Sequence, residues 1–300
     1  MRELTIDGRR ISDDRPCYVI AELGHNHGGS VDMARQMIRV AAEAGADAVK
    51  FQKRTNGTLY SKALLDAPYE NENSYGKTYG EHRAYLEFTA ENYAACRESA
   101  ARHDITWFAT AFDEASVDFL MLAGTPALKI PSGGLTDHAL LRYAASMGVP
   151  VVLSTGGGTL ADIRKAVDSL GDCPHAILHC TAAYPLDPHE ANLRVIETLR
   201  QEYPRTVIGW SSHHPGIALS LVAYAFGARI IEHHVTLNRA SKGTDHAFSL
   251  EPKGLQTLGE DLEKVRQAIG TGIKMFYDSE RGPISKMRRV RTAEGMRVVG

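Results

Sequence analysis

The sequence predicts an α/β fold of the (β/α)₈ TIM barrel class with an N-terminal β-hairpin. Short β-branched or aromatic runs recur eight times along the 300 residues, and helix-period segments lie between most of them. This alternation is typical of a parallel sheet covered by helices. The length fits a barrel, which typically needs about 250 residues. We therefore predict a single barrel domain over residues 1–300.

The elements follow in order along the chain. ELTIDGRRIS carries an Asp7-Gly8 turn signal, so residues 1–14 are assigned to a hairpin that closes the N-terminal end of the barrel. Several helical segments end in Gly-Ala or Gly-x-Pro, which are helix-ending signals. The eight predicted strands are residues 17–23, 47–53, 105–112, 127–132, 150–155, 175–180, 206–212 and 229–236.

One connection is much longer than the others. Residues 54–85, after the second strand, are polar and rich in Tyr and Asn, and are assigned to a long loop. Loops of this length are usually functional or disordered. The segment also follows a strand on the face where barrels keep their active sites. A substrate-covering loop and a dimer contact both explain it.

Composition excludes several classes of partner. The net charge is −2 with scattered Lys and Arg, so no nucleic-acid partner is expected. The longest apolar run is shorter than the ~20 residues of a membrane-spanning helix, and the polar N-terminus lacks a signal-peptide core. The four cysteines show no framework spacing. We expect no membrane partner and a cytoplasmic location.

The parity of strand residues sorts the polar side chains. Val49 and Phe51 should face the helices, which leaves Lys50 and Gln52 inside the barrel. Any one of these groups has an ordinary structural explanation, but burying several charges without purpose costs several kcal/mol per uncompensated charge. The convergence predicts a site at the C-terminal strand ends. The same test places inside Glu22, Thr110, Lys129, Ser154, Ser211, Glu232 and His234, with His213 beside them.

This lining suggests anion and metal binding. Lys50 and Lys129 could hold the two ends of a small polyanion, and the turn STGGGT (154–159) could offer backbone N–H groups to a phosphate. His213 and His234 end adjacent strands and suit Mn²⁺, Zn²⁺ or Fe²⁺. His214 and His233 have the opposite parity and are left out.

Seven segments spread along nearly the whole chain form a recognisable set. They are IAELGHNHGG (20–29), GADAVKFQ (45–52), ALKIPSG (127–133), LSTGG (153–157), HCTAAYP (179–185), IGWSSHHPGIALSLVAYAFGARIIEHHVTL (208–237) and KGTDHAFSLEP (242–252). In this order they resemble the sialic acid synthase (N-acetylneuraminate synthase) family. The resemblance implies a (β/α)₈ barrel transferase that condenses phosphoenolpyruvate with an aldose to give a 3-deoxy-ulosonic acid and phosphate. It also implies a homodimer and a divalent metal ion, most often Mn²⁺.

The resemblance also implies roles for individual residues. Lys50 and Lys129 would act on phosphoenolpyruvate, Glu22 and Asp245 would contact the acceptor or water, and His213 and His234 would bind the metal. Ser132, Tyr184 and Asp245 rest on the resemblance alone. The further residues that would contact phosphoenolpyruvate are Gln52, Thr110, Ser132, Ser154, Tyr184 and Ser211.

The sequence departs from the family on the acceptor side. Gly134 stands where the family has a Glu, and Ala182 stands where an Asn is expected. Ser212 replaces the Asp of an S-D-H motif. We also expect the chain to lack the small C-terminal antifreeze-like domain of typical members. These changes predict that N-acetylmannosamine is a poor substrate and that another aldehyde, such as an unacetylated or differently sized sugar, is preferred.

Two other functions remain open from the sequence. One is a metal-dependent or Schiff-base aldolase acting on a keto acid, and the other is a non-catalytic barrel that binds an anionic sugar. Release of phosphate from phosphoenolpyruvate separates the synthase from both.

Overall fold

The structure, a computed structural model, describes residues 2–293 and 295–298. Its chain begins with the predicted hairpin, in which β1 (Glu3–Ile6) pairs antiparallel with β2 (Arg9–Ser12). Asp7 and Gly8 both have positive φ, at 50° and 73°, as a type I′ turn requires. Leu4, Ile6 and Ile11 are buried in one cluster with apolar residues of the barrel interior. The hairpin therefore packs against the inside of the barrel.

Eight parallel strands form a closed barrel, which confirms the predicted fold. Each lies within or close to its predicted range. The strands are β3 (Tyr18–Gly24), β4 (Ala48–Lys53), β5 (Thr106–Ala111), β6 (Leu128–Ile130), β7 (Val151–Ser154), β8 (His175–Cys180), β9 (Val207–Ser212) and β10 (Ile230–His234). They are hydrogen-bonded in chain order, and β10 closes the ring against β3.

Helices between the strands cover the outside of the barrel. They bury apolar stripes, such as Met37, Ile38 and Ala41, against outward strand residues. The helices are α1 (Val31–Glu43), α2 (Asn56–Leu59), α3 (Lys62–Leu65), α4 (Tyr79–Leu86), α5 (Ala90–Arg102), α6 (Glu114–Leu122), α7 (His138–Ala145), α8 (Leu160–Leu170), α9 (Val195–Glu202), α10 (Ala218–Ala225) and α11 (Pro252–Ile269). None of the helices within the described residues is long and apolar enough to cross a membrane.

The interior of the barrel has an apolar lower layer and a polar upper layer. Val49 and Phe51 of β4 belong to the outer core, as parity predicts, while Ala48 belongs to the inner cluster. Lys50 follows Ala48 on the inward face and is also buried. Ala48 and Lys50 share the inward face because side chains alternate along a strand. Since Lys50 comes later in the strand, the polar layer lies nearer the C-terminal mouth than the apolar layer.

The segment 54–85 is more ordered than the predicted loop. It contains α2 and α3 and most of α4, and Pro68 forms an isolated β-bridge with Thr78. Aromatic rings hold it together. The Tyr69 and His82 ring centroids are 4.7 Å apart, and those of Tyr75 and Tyr85 are 4.9 Å apart.

The chain divides into two compact units, residues 1–266 and 267–300. The second contains a short 3₁₀ helix (Asp278–Glu280), α12 (Arg281–Met287) and an antiparallel hairpin of β11 (Arg289–Thr292) with β12 (Gly295–Val298). The single-domain assignment over 1–300 stays a prediction. It includes Met1, Glu294, Val299 and Gly300, which lie outside the described residues.

Candidate active site

A cavity of about 510 Å³ lies at the C-terminal ends of the barrel strands. All twelve residues predicted for the site line it, so the structure brings them together. Their individual roles stay predictions. The twelve are Glu22, Lys50, Gln52, Thr110, Lys129, Ser132, Ser154, Tyr184, Ser211, His213, His234 and Asp245.

Lys50 lies in a buried, charge-paired network. Its Nζ is 2.6 Å from Oε2 of Glu22 and donates a 2.7 Å hydrogen bond to Oγ1 of Thr110. Glu22 also accepts a 2.7 Å bond from Nε2 of Gln52 through Oε1. Neighbouring strands supply these groups, because β3 and β5 flank β4. The network fixes the Lys50 ammonium at the cavity wall.

Lys129 is buried without such a pair. Its Nζ donates to Ser154 Oγ at 2.6 Å and to the Ile130 carbonyl at 3.0 Å, and it forms no salt bridge within the described residues. Burial lowers the pKa of Lys129, and although the nearby carboxylate of Glu232 opposes this effect, the charge of Lys50 adds to it. A buried cation held only by neutral acceptors suits an incoming anion.

Glu232 interacts electrostatically with both lysines. It has the inward parity predicted for it, although no role was assigned to it. Its Oε1 lies 3.6 Å from Lys50 Nζ and accepts a 3.0 Å bond from Ser211 Oγ. Burial opposes its ionisation, but the charges of Lys50 and Lys129 outweigh burial and lower the pKa of Glu232. It is therefore a carboxylate at neutral pH.

His213 and His234 face each other across adjacent strands, with ring centroids 5.5 Å apart. Nδ1 of His213 lies 3.0 Å from the Thr181 carbonyl, which places the ring proton on Nδ1 and leaves Nε2 as a free ligand atom. Burial, followed by the effect of His234, lowers the pKa of His213 to about 4, so it is neutral. His233 and His214 do not line the cavity.

These two imidazoles fit a divalent cation with an open coordination sphere. His234 Nδ1 is buried without a hydrogen-bond partner and lies 3.6 Å from Oδ2 of Asp245. Within residues 2–293 and 295–298, no group of three His, Cys, Asp or Glu side chains is arranged as a metal site. The remaining positions would therefore belong to water or substrate oxygens.

The glycine-rich turn at residues 154–159 was predicted to face the cavity, but most of it does not. Of residues 154–159, only Ser154 lines it. The Gly156 N–H already donates to Ser132 Oγ at 3.0 Å. Thr159 and Asp162 form a capping box at the start of α8. The N-terminus of this helix is thus satisfied by its own residues, and no phosphate cradle is built there.

Gly134 and Ala182, two of the three departures from the family, differ in position. Ala182 lines the cavity, but Gly134 does not, and Gly133 lines it instead. A Cβ at Gly134 would lie 2.8 Å from Cγ2 of Ile130, closer than packing allows. A larger residue at position 134 would therefore require Ile130 to move.

Three histidine or arginine side chains that line the cavity were not predicted. They are His25, Arg54 and Arg83. Arg54 continues the inward parity of Lys50 and Gln52, and this signal could have identified it. Arg83 comes from α4 in the long segment after β4, where no periodic pattern points to the barrel.

Comparisons with known proteins agree with this geometry. The pattern of the NeuB family matches residues 37–274. The chain is 39% identical over 276 residues to N-acetylneuraminate-9-phosphate synthase of Mus musculus, which covers 91% of this chain and 77% of that protein. It is 36% identical over 273 residues to N,N'-diacetyllegionaminic acid synthase of Legionella pneumophila, covering 88% and 76%.

A solved structure is similar over nearly the same length. It is the N-acetylneuraminic acid (sialic acid) synthetase of Leptospira borgpetersenii serovar Hardjo-bovis in complex with citrate, at 34% identity and a TM-score of 0.80. The match covers 94% of this chain and 95% of that one. This chain belongs to the NeuB family.

Proposed function

We propose that this chain condenses phosphoenolpyruvate with an aldose to form a 3-deoxy-ulosonic acid and phosphate. One observation carries the proposal. Two buried lysines, three carboxylates and two imidazoles converge on one cavity large enough for two small substrates. Membership of the NeuB family and the synthase names of its relatives support the same reaction.

The reaction forms one carbon–carbon bond and breaks one carbon–oxygen bond. C3 of phosphoenolpyruvate attacks the aldehyde carbon of the acceptor, water adds at C2, and phosphate leaves with its bridging oxygen. Lys50 and Lys129 hold the anionic groups of phosphoenolpyruvate, and Thr110 and Ser154 fix the two ammonium groups. Their contribution is positioning and electrostatic stabilisation.

Glu22 and Asp245 serve the acceptor or water side. Glu22 Oε1 and Asp245 Oδ2 would each be 3.5 Å from a Cβ at Gly24, so the two carboxylates approach the same glycine. Gly24 has a φ of 50°, and it leaves this corner open because it has no side chain. Carboxylates here can accept hydrogen bonds from an acceptor hydroxyl or from the attacking water.

A divalent metal requirement follows from the family resemblance, and His213 and His234 would be its protein ligands. When bound, the ion supplies positive charge to the aldehyde oxygen of the acceptor. We propose Mn²⁺ as the ion, since two imidazoles with oxygen ligands suit it. A homodimer and a cytoplasmic location complete the proposal, and light scattering of the purified protein tests the dimer.

A Schiff-base aldolase is the second candidate, and one observation favours it. The lowered pKa of Lys129 makes its amine a better nucleophile than an ordinary lysine. Borohydride treatment with a keto acid such as pyruvate would then trap an adduct on Lys129, visible by mass spectrometry. The synthase proposal expects no such adduct.

The direct test is a screen of aldoses for phosphate release from phosphoenolpyruvate with Mn²⁺ present. The synthase proposal expects release that depends on the aldose, together with a product whose mass equals that of the aldose plus pyruvate. Absence of release with every aldose and with every terminal aldose phosphate would contradict it.

A further inference from the structure

Two arginines form an outer cationic pair in the cavity. Lys50, Gln52 and Arg54 follow one another at every second residue, and a strand rises about 3.3 Å per residue. Arg54 therefore stands nearer the mouth than Lys50, by a distance on the order of 13 Å along the strand direction. Arg83 joins it from α4, and both line the cavity.

Neither guanidinium has an anionic partner. Within the described residues, Arg54 and Arg83 form no salt bridge, whereas Lys50 pairs with Glu22. Arg54 is only 7% exposed, and its Nε is buried without a hydrogen-bond partner. Burial and then the charge of Arg83 lower the pKa of Arg54. Two adjacent cations with no counter-charge are a costly arrangement that an anion would relieve.

His25 cannot accept hydrogen bonds from both arginines. Its Nε2 lies 3.1 Å from Nη1 of Arg54, and its Nδ1 lies 3.5 Å from Nη1 of Arg83. Burial, together with the charge of Arg54, lowers the pKa of His25 well below its usual value, so the ring is neutral. A neutral imidazole accepts a hydrogen bond at only one nitrogen. At least one arginine N–H group is left for a ligand.

Arg54 is also held rigidly for such a role. It donates a 2.8 Å hydrogen bond to Oε1 of Gln52, and its guanidinium carbon lies 3.6 Å from the Phe112 ring centroid. Nη1 and Nη2 each use one N–H group on His25 and Gln52, which leaves a second N–H group on each nitrogen for a ligand. A planar guanidinium matches the geometry of phosphate oxygens.

We propose that Arg54 and Arg83 bind a phosphate monoester at the far end of the acceptor, so that the preferred acceptor is an aldose phosphate. This inference rests on the proposed synthase function. Phosphoenolpyruvate finds its cations at Lys50 and Lys129, deeper in the barrel. The acceptor aldehyde meets C3 of phosphoenolpyruvate there, and the rest of the sugar extends toward the mouth and the arginines.

Family membership does not decide this point. The relatives include a synthase named for a 9-phosphate product and one named for a product without phosphate. In the proposed reaction the acceptor phosphate stays on the product, and the phosphate released comes only from phosphoenolpyruvate. Phosphate release and product mass therefore report separately on the two substrates.

The test uses the full chain with Mn²⁺ and three aldoses, each with and without a terminal phosphate. The aldoses are N-acetylmannosamine, mannose and arabinose. We expect the best phosphorylated acceptor to exceed its free aldose in kcat/KM by at least about 10-fold, since a charge-assisted hydrogen bond contributes that much. Arg83→Met should reduce kcat/KM for that acceptor by about 10- to 100-fold, and Arg83→Lys should recover part of it.

Two further readouts locate the effect. In Arg83→Met, kcat/KM should fall by a larger factor for the phosphorylated acceptor than for its free aldose, because only the phosphate forms an ion pair there. The KM for phosphoenolpyruvate should stay within about 2-fold of wild type. Arg142→Met, on the exposed surface of α7, is the matched control and should change neither value.

The outcomes are distinct. If kcat/KM of the wild type for the free aldoses equals or exceeds that for their phosphates, the proposed phosphate site at Arg54 and Arg83 is wrong. The proposed synthase function would not be affected by this result. A rise in KM for phosphoenolpyruvate alone in Arg83→Met would assign the arginines to phosphoenolpyruvate and overturn the proposal. If none of the six acceptors causes phosphate release, the synthase function itself fails, and the subsite fails with it.

Discussion

Replacing Lys129 by Met should weaken phosphoenolpyruvate binding without weakening the fold. Met has nearly the same length but lacks the ammonium, so the variant removes a charge and keeps the packing. A hydrogen bond to a charged group contributes about 1.5–3 kcal/mol. We expect the Kd for phosphoenolpyruvate to rise by about 10- to 150-fold, since about 1.4 kcal/mol corresponds to a factor of ten.

The expected effect on stability has the opposite sign from that of most buried substitutions. A lysine whose pKa is lowered on folding binds its proton less tightly in the folded protein than in the unfolded chain, so its charge destabilises the fold at neutral pH. Removing the charge offsets the loss of the hydrogen bonds to Ser154 and Ile130. We therefore expect the melting temperature of the ligand-free variant to equal or exceed that of wild type.

Titration calorimetry with phosphoenolpyruvate and thermal unfolding without ligand measure the two effects. Lys165→Met, at an exposed position on α8, is the control and should leave both values unchanged. An affinity within about 3-fold of wild type would refute the role of Lys129 as an anion ligand. A melting temperature lower by more than ~5 °C would instead show that Lys129 is a structural residue.

Three other predictions follow from separate parts of the structure. Burial lowers the pKa of His27 to about 4. Between pH 6.5 and 4 the imidazole of His27 is therefore protonated in the unfolded chain but not in the folded protein. The free energy of unfolding should fall by up to ~3 kcal/mol as the pH drops through that window. His27→Gln should reduce the slope of unfolding free energy, measured in urea, against pH in that window, although other buried histidines such as His213 keep part of it. An unchanged slope would count against this account. Tyr75 donates a 2.6 Å hydrogen bond to the Lys242 carbonyl, three residues before Asp245 in the chain. Tyr75→Phe should therefore reduce kcat/KM for the acceptor by about 2- to 10-fold and leave the KM for phosphoenolpyruvate unchanged. Equal changes in both values would argue against the view that Tyr75 positions the loop that carries Asp245. Removal of divalent metal ions by a chelator should abolish turnover until Mn²⁺ is added back. The His213→Ala variant should bind Mn²⁺ more weakly than wild type, as measured by calorimetry. Full activity in the presence of the chelator would rule out the metal site.

The contacts of the 54–85 segment bear on its two predicted roles. Tyr75 reaches the Lys242 carbonyl, and Asn73 Oδ1 accepts a 3.0 Å bond from the Gly243 N–H. The segment is thus tied to the loop that carries Asp245, and it delivers Arg83 to the cavity. These contacts support a substrate-covering role, and the dimer contact stays a prediction.

The barrel and its polar upper layer could be predicted from the amino-acid pattern alone. Both depend on a local rule, because alternate residues of a strand face opposite sides. Lys50 and Gln52 alternate with Val49 and Phe51, so they could be placed inside without knowledge of any other strand. Arg54 obeys the same rule and was within reach of the same reasoning.

Which charges pair, and which meet only neutral groups, could not be predicted before the fold was known. Lys50 and Lys129 look alike in the sequence, yet one meets Glu22 and the other meets neutral oxygens, because the neighbouring strands place different groups beside them. Arg83 lies on a helix without a barrel-directed pattern, and aromatic packing within its segment accompanies its approach to the cavity. Such pairings depend on contacts between residues distant in the chain, and no local periodicity encodes them.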